Sequence, residues 1–205
     1  MISLGRAAFP GLAALFFVWM VFYGWTLGFK AFTSYAYVVA SAAPMPKVPP
    51  KLALTDQSGG TWSLDQLKGQ YHLITFGYLN CTGTCPISQA ELNQLNDQLL
   101  LRGQTHFNLW TLTLDPEGDR LELLKHTWDF KGAPQNWRMA SPTPMGREAY
   151  FEILRNMGMW VDEDRFGNPI HDNLSFLINP QGLLVRSYQG IPELNRLLAD
   201  TAEGQ

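Results

Sequence analysis

The sequence predicts an α/β domain in which helices cover a mixed β-sheet, preceded by an apolar N-terminal segment. Three observations lead to this prediction. Apolar runs typical of buried strands alternate with stretches of helical periodicity, two late strands flank a turn, and one long uncharged run stands near the N-terminus. The length of 205 residues suits one domain with an appendage.

The first 30 residues are predicted to be a transmembrane anchor. No charged residue occurs in the 23 residues from Ala7 to Phe29, which is enough for a helix to cross a hydrocarbon layer of ~30 Å. Arg6 gives the N-terminal side a positive bias, which predicts a single-pass inner-membrane protein whose later residues lie outside the cytoplasm, in the periplasm if the protein is bacterial. The alternative is a cleaved signal peptide, because Ala40-Ser41-Ala42 resembles a processing site. Both interpretations predict export.

Residues 31–50 are predicted to be a Pro-rich extended linker, because prolines crowd its second half. Residues 51–205 then form the domain. Turn signals within Lys51–Leu67 indicate a hairpin, and Leu73–Tyr78 reads as a strand covered on both faces. Pro86 suits the first turn of a helix.

The rest of the domain continues this alternation. A second buried strand is expected at Phe107–Leu114, followed by a helix in which Leu121, Leu124 and Trp128 share a face. A third helix is expected where Met145, Ala149, Ile153 and Met157 recur at intervals of four. Two strands, Leu174–Ile178 and Leu183–Tyr188, precede a short helix near Leu194–Ala199. Strands that alternate with helices and end in a hairpin are typical of a thioredoxin-like domain.

The charge distribution argues against nucleic acid as a partner. Residues 1–50 contain three basic residues and no acidic residue, so residues 51–205 carry a net charge of −6. A nucleic-acid interface would need a basic patch. The mildly acidic surface otherwise predicts no function.

The two cysteines lie between the predicted strand and helix, with three residues between them. The N–H groups at a helix start favour a thiolate, which is both a nucleophile and a metal ligand. The spacing lets Cys81 and Cys85 close a disulfide, act as a redox-active pair, or hold a soft metal ion. It does not select among these possibilities.

Four histidines occur, and only His171 is placed near the cysteines by the predicted fold. It precedes the Leu174–Ile178 strand in a loop that should face the cysteine loop of a thioredoxin-like sheet. A neutral imidazole beside two thiolates suits copper. No role is assigned to His72 at a strand edge, or to His106 and His126, which we expect to face solvent. The methionines at helical spacing are expected to be core residues.

Three segments resemble the Sco/SenC family of copper chaperones for cytochrome c oxidase: Phe76–Pro86, Thr113–Asp119 and His171–Gly182. The resemblance runs from about Leu52 to Leu198. It implies a thioredoxin fold in which Cys81, Cys85 and His171 bind copper, as Cu(I) or Cu(II). It also implies delivery of that copper to the binuclear copper centre of oxidase subunit II.

The resemblance leaves a second function open. Some family members are credited with thiol–disulfide exchange on the cysteines of that subunit, for which Cys81 and Cys85 would be the redox-active pair. A peroxidase is disfavoured, because the residues expected around a peroxidatic cysteine are missing. This chain departs from the family pattern at Gly83, Gly118 and Asp172, where the family often has an acidic, a basic and a hydroxyl residue. These departures bear on the docking surface and leave the three ligands intact.

Overall fold

The computed structural model describes residues 4–81, 83 and 85–202, and the chain divides into two units, Met1–Ala42 and Ala43–Gln205. The first unit contains helix α1, Leu4–Trp25, and helix α2, Ser34–Ser41. Between them the chain turns: the Thr26 hydroxyl donates to the Phe22 carbonyl at 2.7 Å and accepts the Phe29 N–H at 3.0 Å. The Phe29 N–H thus bonds to a side chain instead of to the carbonyl four residues earlier, and the helical pattern is interrupted after Trp25.

The structure does not support the predicted transmembrane anchor. Within the described part of the chain, no helix is both long and apolar enough to cross a bilayer. The uncharged run that suggested a span to Phe29 is not one helix, because α1 stops at Trp25 and the backbone turns at Leu27 and Phe29, whose φ angles are 50° and 63°.

The predicted extended linker is also only partly extended. Helix α2 lies within it, and Thr33 caps this helix by accepting the Ala36 N–H at 3.1 Å. Further on, Lys47 exchanges two backbone hydrogen bonds with Leu184, of 3.0 and 2.8 Å. The proline-rich stretch from Ala43 is therefore attached to the second unit.

The second unit is the predicted mixed α/β domain. Its elements in chain order are β1 Ala53–Asp56, β2 Thr61–Ser63, β3 Tyr71–Gly77, α3 Cys85–Leu101, β4 Phe107–Thr113, α4 Leu121–Phe130, β5 Trp137–Pro142, α5 Arg147–Met157, β6 Val161–Glu163, β7 Pro169–His171, β8 Leu174–Ile178, β9 Leu184–Gln189 and α6 Leu194–Ala202. The order of strands and helices predicted from the sequence is confirmed, with β5, β6 and β7 added.

Among the described residues, seven strands form one sheet in the order β2-β1-β5-β4-β3-β8-β9. Strands β3, β4 and β5 are parallel, whereas β8 runs antiparallel to β3. Every residue of β3 is buried, which explains its continuous apolar run. Because β3 and β4 are parallel neighbours, the loops that follow them meet at one edge of the sheet. Strands β6 and β7 form a separate hairpin, the β6–β7 hairpin.

The core occupies both faces of the large sheet. One cluster includes Trp110, Tyr150 and Phe176, and the other includes Phe107 and Trp137. Met157 is buried, as expected of a core residue, and so are Met139 and Met159, whereas Met145 is 36% exposed.

Candidate metal centre

Cys81 and Cys85 lie where β3 gives way to α3. Cys81 follows the strand after a short turn and is half-buried, whereas Cys85 is the first residue of α3 and is 7% exposed. Both are free thiols, so the local disulfide considered above is not formed in this structure. Thr82 and Thr84, the residues on either side of Gly83, lie outside the described residues.

The two sulfurs have unequal environments. Burial alone would raise the pKa of the Cys81 thiol, but hydrogen bonds from the Cys85 side chain, from backbone N–H groups of Cys85 and Gly83, and from the Tyr78 side chain lower it below its ordinary value. Burial, with a further contribution from Cys81, raises the pKa of Cys85 to about 12. Cys81 is therefore the more accessible and more readily ionised sulfur.

A cavity of about 150 Å³ lies beside the two cysteines. Its lining includes Tyr78, Cys81, Cys85, Asp119, Lys131 and Met139. Burial lowers the pKa of Lys131, which also stacks over the Trp137 ring at 4.8 Å. Residues of α4 also line this cavity, so a small group within it would lie between α4 and the two cysteines.

His171 is the last residue of β7 and pairs with Val161 of β6. Its Nδ1 lies 2.7 Å from the Asp172 carbonyl oxygen. A carbonyl can only accept a hydrogen bond, so Nδ1 carries the proton and the lone pair of the neutral ring is on Nε2. Burial lowers the pKa of His171, which keeps the ring neutral at neutral pH. A metal-binding histidine commonly has this arrangement, with its second nitrogen donating to a backbone carbonyl.

Asp172 carries an unpaired carboxylate beside this histidine. Both of its side-chain oxygens are buried and have no hydrogen-bond partner among the described residues. Burial raises the pKa of Asp172 to about 6. A buried carboxylate without a partner is costly and would be stabilised by a nearby cation.

The turn of the β6–β7 hairpin acts electrostatically on Tyr78, which precedes the cysteine loop. Asp164, at the turn of this hairpin, contributes to a rise in the pKa of Tyr78 to about 12, after the larger effects of burial and of Cys81. Even so, the described residues contain no group of three or more histidine, cysteine, aspartate or glutamate side chains placed to hold a metal ion. The ligand set Cys81, Cys85 and His171 therefore stays a prediction.

Three residues near the site were given no role by the sequence. Tyr78 contacts Cys81, Asp119 accepts the Leu79 N–H at 3.0 Å, and Arg147 bonds to the turn of the β6–β7 hairpin. Tyr78 and Asp119 lie within segments that resemble the family, and this resemblance could have identified them as site residues. Arg147 carries no such signal. The expectation that His106 and His126 face solvent is confirmed.

Comparison with known proteins identifies one family. The model described as SCO1/SenC matches residues 41–133, a stretch that includes both cysteines and the loop after β4 and ends before His171. A protein of Stutzerimonas stutzeri whose name refers to copper binding is 33% identical over 82 residues, which are 40% of this chain and 40% of that protein. The SCO1 protein homolog of Bacillus subtilis is 23% identical over 137 residues, 66% of this chain and 70% of that protein.

Solved structures agree with the fold. Bradyrhizobium japonicum ScoI, solved with copper bound, has a TM-score of 0.61 and 21% identity, and the alignment covers 77% of this chain and 99% of that chain. The resemblance inferred from the three sequence segments is confirmed, and so is the thioredoxin-like arrangement of the domain.

Proposed function

Because the chain resembles the SCO1/SenC family over residues 41–133, we propose that it binds copper through Cys81, Cys85 and His171 and acts in the assembly of cytochrome c oxidase. We propose further that it delivers this copper to the binuclear copper centre of oxidase subunit II. The observation that carries the proposal is a pair of free thiols on one loop, together with a histidine on the β6–β7 hairpin whose Nε2 lone pair is available.

The donor chemistry fits this cargo. Two thiolates and one imidazole form a soft S₂N set, which suits copper and leaves a position for an incoming ligand of the acceptor protein. The unpaired Asp172 carboxylate adds negative charge beside His171. Both thiols lose their protons when they bind the metal, so binding should release protons. Since the three side chains do not form a ligand cluster here, we expect the hairpin and the cysteine loop to adjust on binding.

A second function, thiol–disulfide exchange, is favoured by the inequality of the two sulfurs. The Cys81 thiolate would attack a disulfide of an exported partner, forming a mixed disulfide and releasing one partner thiolate. Cys85, after losing its proton, would attack the Cys81 sulfur, releasing the second thiolate and leaving a Cys81–Cys85 disulfide. Two electrons pass to the partner, whose thiolates take up the protons.

One variant separates the two functions. The full chain, reduced, is titrated with Cu(I) and with Cu(II), and we expect one equivalent to bind, with sulfur-to-copper charge-transfer absorption for Cu(II). His171→Ala should abolish tight binding and leave disulfide exchange largely intact, whereas the exposed His126→Ala should change neither. Unchanged copper affinity in His171→Ala would refute the three-ligand site. If the unsubstituted protein bound no copper stoichiometrically, the redox function would be favoured.

We also propose that the domain works outside the cytoplasm. The support is the apolar N-terminal segment, whose described side chains include the exposed Leu12, Phe16 and Trp25. Protease treatment of intact spheroplasts that express a C-terminally tagged chain tests this location. Loss of the tag is expected, and a tag that is lost only after lysis would contradict export.

A further inference from the structure

Arg147, the first residue of α5, makes contacts in two directions. Its Nη1 donates to the Glu163 carboxylate at 2.8 Å and to the Gly167 carbonyl at 2.9 Å, both in the β6–β7 hairpin. Its Nη2 donates to the Asp115 carboxylate at 3.0 Å and lies 3.5 Å from the Glu117 carboxylate. One guanidinium group therefore joins the hairpin to the loop that follows β4.

The hairpin depends on such contacts because it stands apart from the large sheet. In the part of the chain that the structure describes, β6 and β7 pair only with each other. Two features fix the base of the hairpin. The Val161 side chain is buried, and the Val161 carbonyl accepts the Arg155 Nε–H at 3.0 Å. The end near the turn, which includes Glu163 and Gly167, is the end that Arg147 holds.

The loop after β4 is in turn fixed to the cysteine loop. Its Asp119 carboxylate accepts the Leu79 N–H at 3.0 Å, two residues before Cys81. Within the loop, Asp115 accepts the Gly118 N–H at 3.2 Å, and a Cβ atom on Gly118 would overlap the Asp115 carboxylate. Glycine at this position therefore leaves room for the carboxylate that pairs with Arg147.

We propose that Arg147 is a positioning residue, which sets the hairpin of His171 relative to the loop of Cys81 and Cys85. This inference rests on the proposed copper function. Arg147 acts through Asp115 on one side and, on the other, through Glu163 and Gly167 near the turn of the hairpin. His171 pairs with Val161 at the base, so Arg147 acts on it through the two strands and not by contact. Its planar fork bonds in both directions at once, which the single ammonium group of a lysine would not reproduce.

The test compares Arg147→Gln with Arg138→Gln in the reduced full chain. The two side chains are similarly exposed, 22% for Arg147 and 25% for Arg138, and each pairs with an aspartate. Arg138, however, stacks on the ring of Trp62, which belongs to β2 and not to the hairpin. Without copper, Arg147→Gln should raise amide hydrogen exchange in residues 161–171 by about tenfold, corresponding to a loss of ~1.4 kcal/mol of local stability. Arg138→Gln should leave that exchange unchanged.

Copper titration supplies the second measurement. Arg147→Gln should weaken Cu(II) binding by about tenfold and shift the charge-transfer band, while Arg147→Lys should recover part of both.

If exchange in the hairpin is unchanged, the inference is wrong even though the protein binds copper. If exchange rises and copper binding does not change, Arg147 holds the hairpin but does not position the site. If the unsubstituted protein binds no copper, the proposed function fails, and hairpin exchange alone then decides whether Arg147 ties the two loops. Should Arg147→Gln not fold, the same comparisons are made with Arg147→Lys.

Discussion

The Asp119 carboxylate accepts the backbone N–H of Leu79 at 3.0 Å and so joins the loop after β4 to the cysteine loop. The same carboxylate accepts the Thr113 hydroxyl at 2.6 Å, and Asp119 is only 1% exposed. A buried carboxylate with two donors fixes the chain two residues before Cys81. The loop after β4 and the cysteine loop, which meet at one edge of the sheet, are thus fixed to each other next to the candidate site.

Asp119→Ala should lower the free energy of unfolding by about 2–3 kcal/mol, because it leaves the Leu79 N–H and the Thr113 hydroxyl without their acceptor. Urea denaturation measures this loss. The exposed Asp97→Ala on α3 serves as the control and should change stability by less than about 0.5 kcal/mol. Equal losses in the two variants would contradict the structural role of Asp119.

Alkylation of the reduced protein should modify Cys81 well before Cys85. Cys81 is half-buried and has a lowered pKa, whereas Cys85 is 7% exposed and burial raises its pKa to about 12. The thiolate is the reactive form, so we expect the rates with iodoacetamide near neutral pH to differ by about tenfold or more. Mass spectrometry with fragmentation locates the modified residue.

The variants Cys81→Ser and Cys85→Ser provide the control for this measurement. Cys85→Ser keeps the reactive sulfur and should be alkylated quickly, while Cys81→Ser should react slowly. If Cys85 reacted first in the unsubstituted protein, the assignment of Cys81 as the attacking sulfur in thiol–disulfide exchange would be wrong.

The sequence predicts those parts of the fold whose signals are local. Strand β3 is buried on both faces and therefore reads as a continuous apolar run, and Pro86 marks the start of α3. Strand β5 was missed because Arg138 interrupts its pattern and Pro142 ends it, although pairing with β4 makes it a strand. Strands of three residues, such as β6 and β7, are too short for periodicity to reveal.

The candidate site likewise has a part that the sequence predicts and a part that it does not. The spacing of Cys81 and Cys85 and their place between strand and helix are visible in the sequence, whereas the choice of His171 rests mainly on family resemblance. Arg147 joins residues that are 16 to 32 positions away along the chain, and Asp119 reaches back 40 positions to Leu79. Such contacts depend on which loops meet in the folded domain, so no local pattern indicates them.

The proline-rich stretch before the domain should contribute to its stability. Lys47 exchanges two backbone hydrogen bonds with Leu184, and its Nζ donates to the carbonyls of Asn156 and Met157, each at 3.2 Å. These carbonyls lie in the last turn of α5, where a positive charge is favourable. A chain that begins at residue 43 should therefore be more stable than one that begins at residue 51, by about 1–3 kcal/mol.

Thermal and urea denaturation of the two truncated chains measure this difference. Lys47→Met in the longer chain removes only the Nζ contacts and should cost about 1 kcal/mol, less than the full truncation. Equal stability of the two chains would mean that the domain begins at residue 51, as the sequence predicts, and that the Lys47 contacts are dispensable.

His72 should make the stability of the domain depend on pH. It is 6% exposed in β3, and its Nδ1 accepts the Trp110 indole N–H at 3.1 Å. Burial lowers the pKa of His72 from 6.5 to about 4, with Arg138 adding to this effect. Below pH 6.5 the unfolded chain therefore binds a proton that the folded chain does not, and stability falls as the pH is lowered toward 4. A shift of this size corresponds to a loss of about 3 kcal/mol in total.

His72→Asn isolates this contribution, because the amide oxygen can accept the Trp110 N–H in place of Nδ1 but does not titrate. Urea denaturation between about pH 7 and pH 4 should show a steeper loss of stability for the unsubstituted protein than for the variant, with the difference confined to the interval between the two pKa values. His106→Asn, at an exposed position, should keep the steep profile. Parallel profiles for the unsubstituted protein and His72→Asn would show that His72 is protonated as readily in the folded chain as in the unfolded one, and that its burial against Trp110 does not govern its charge.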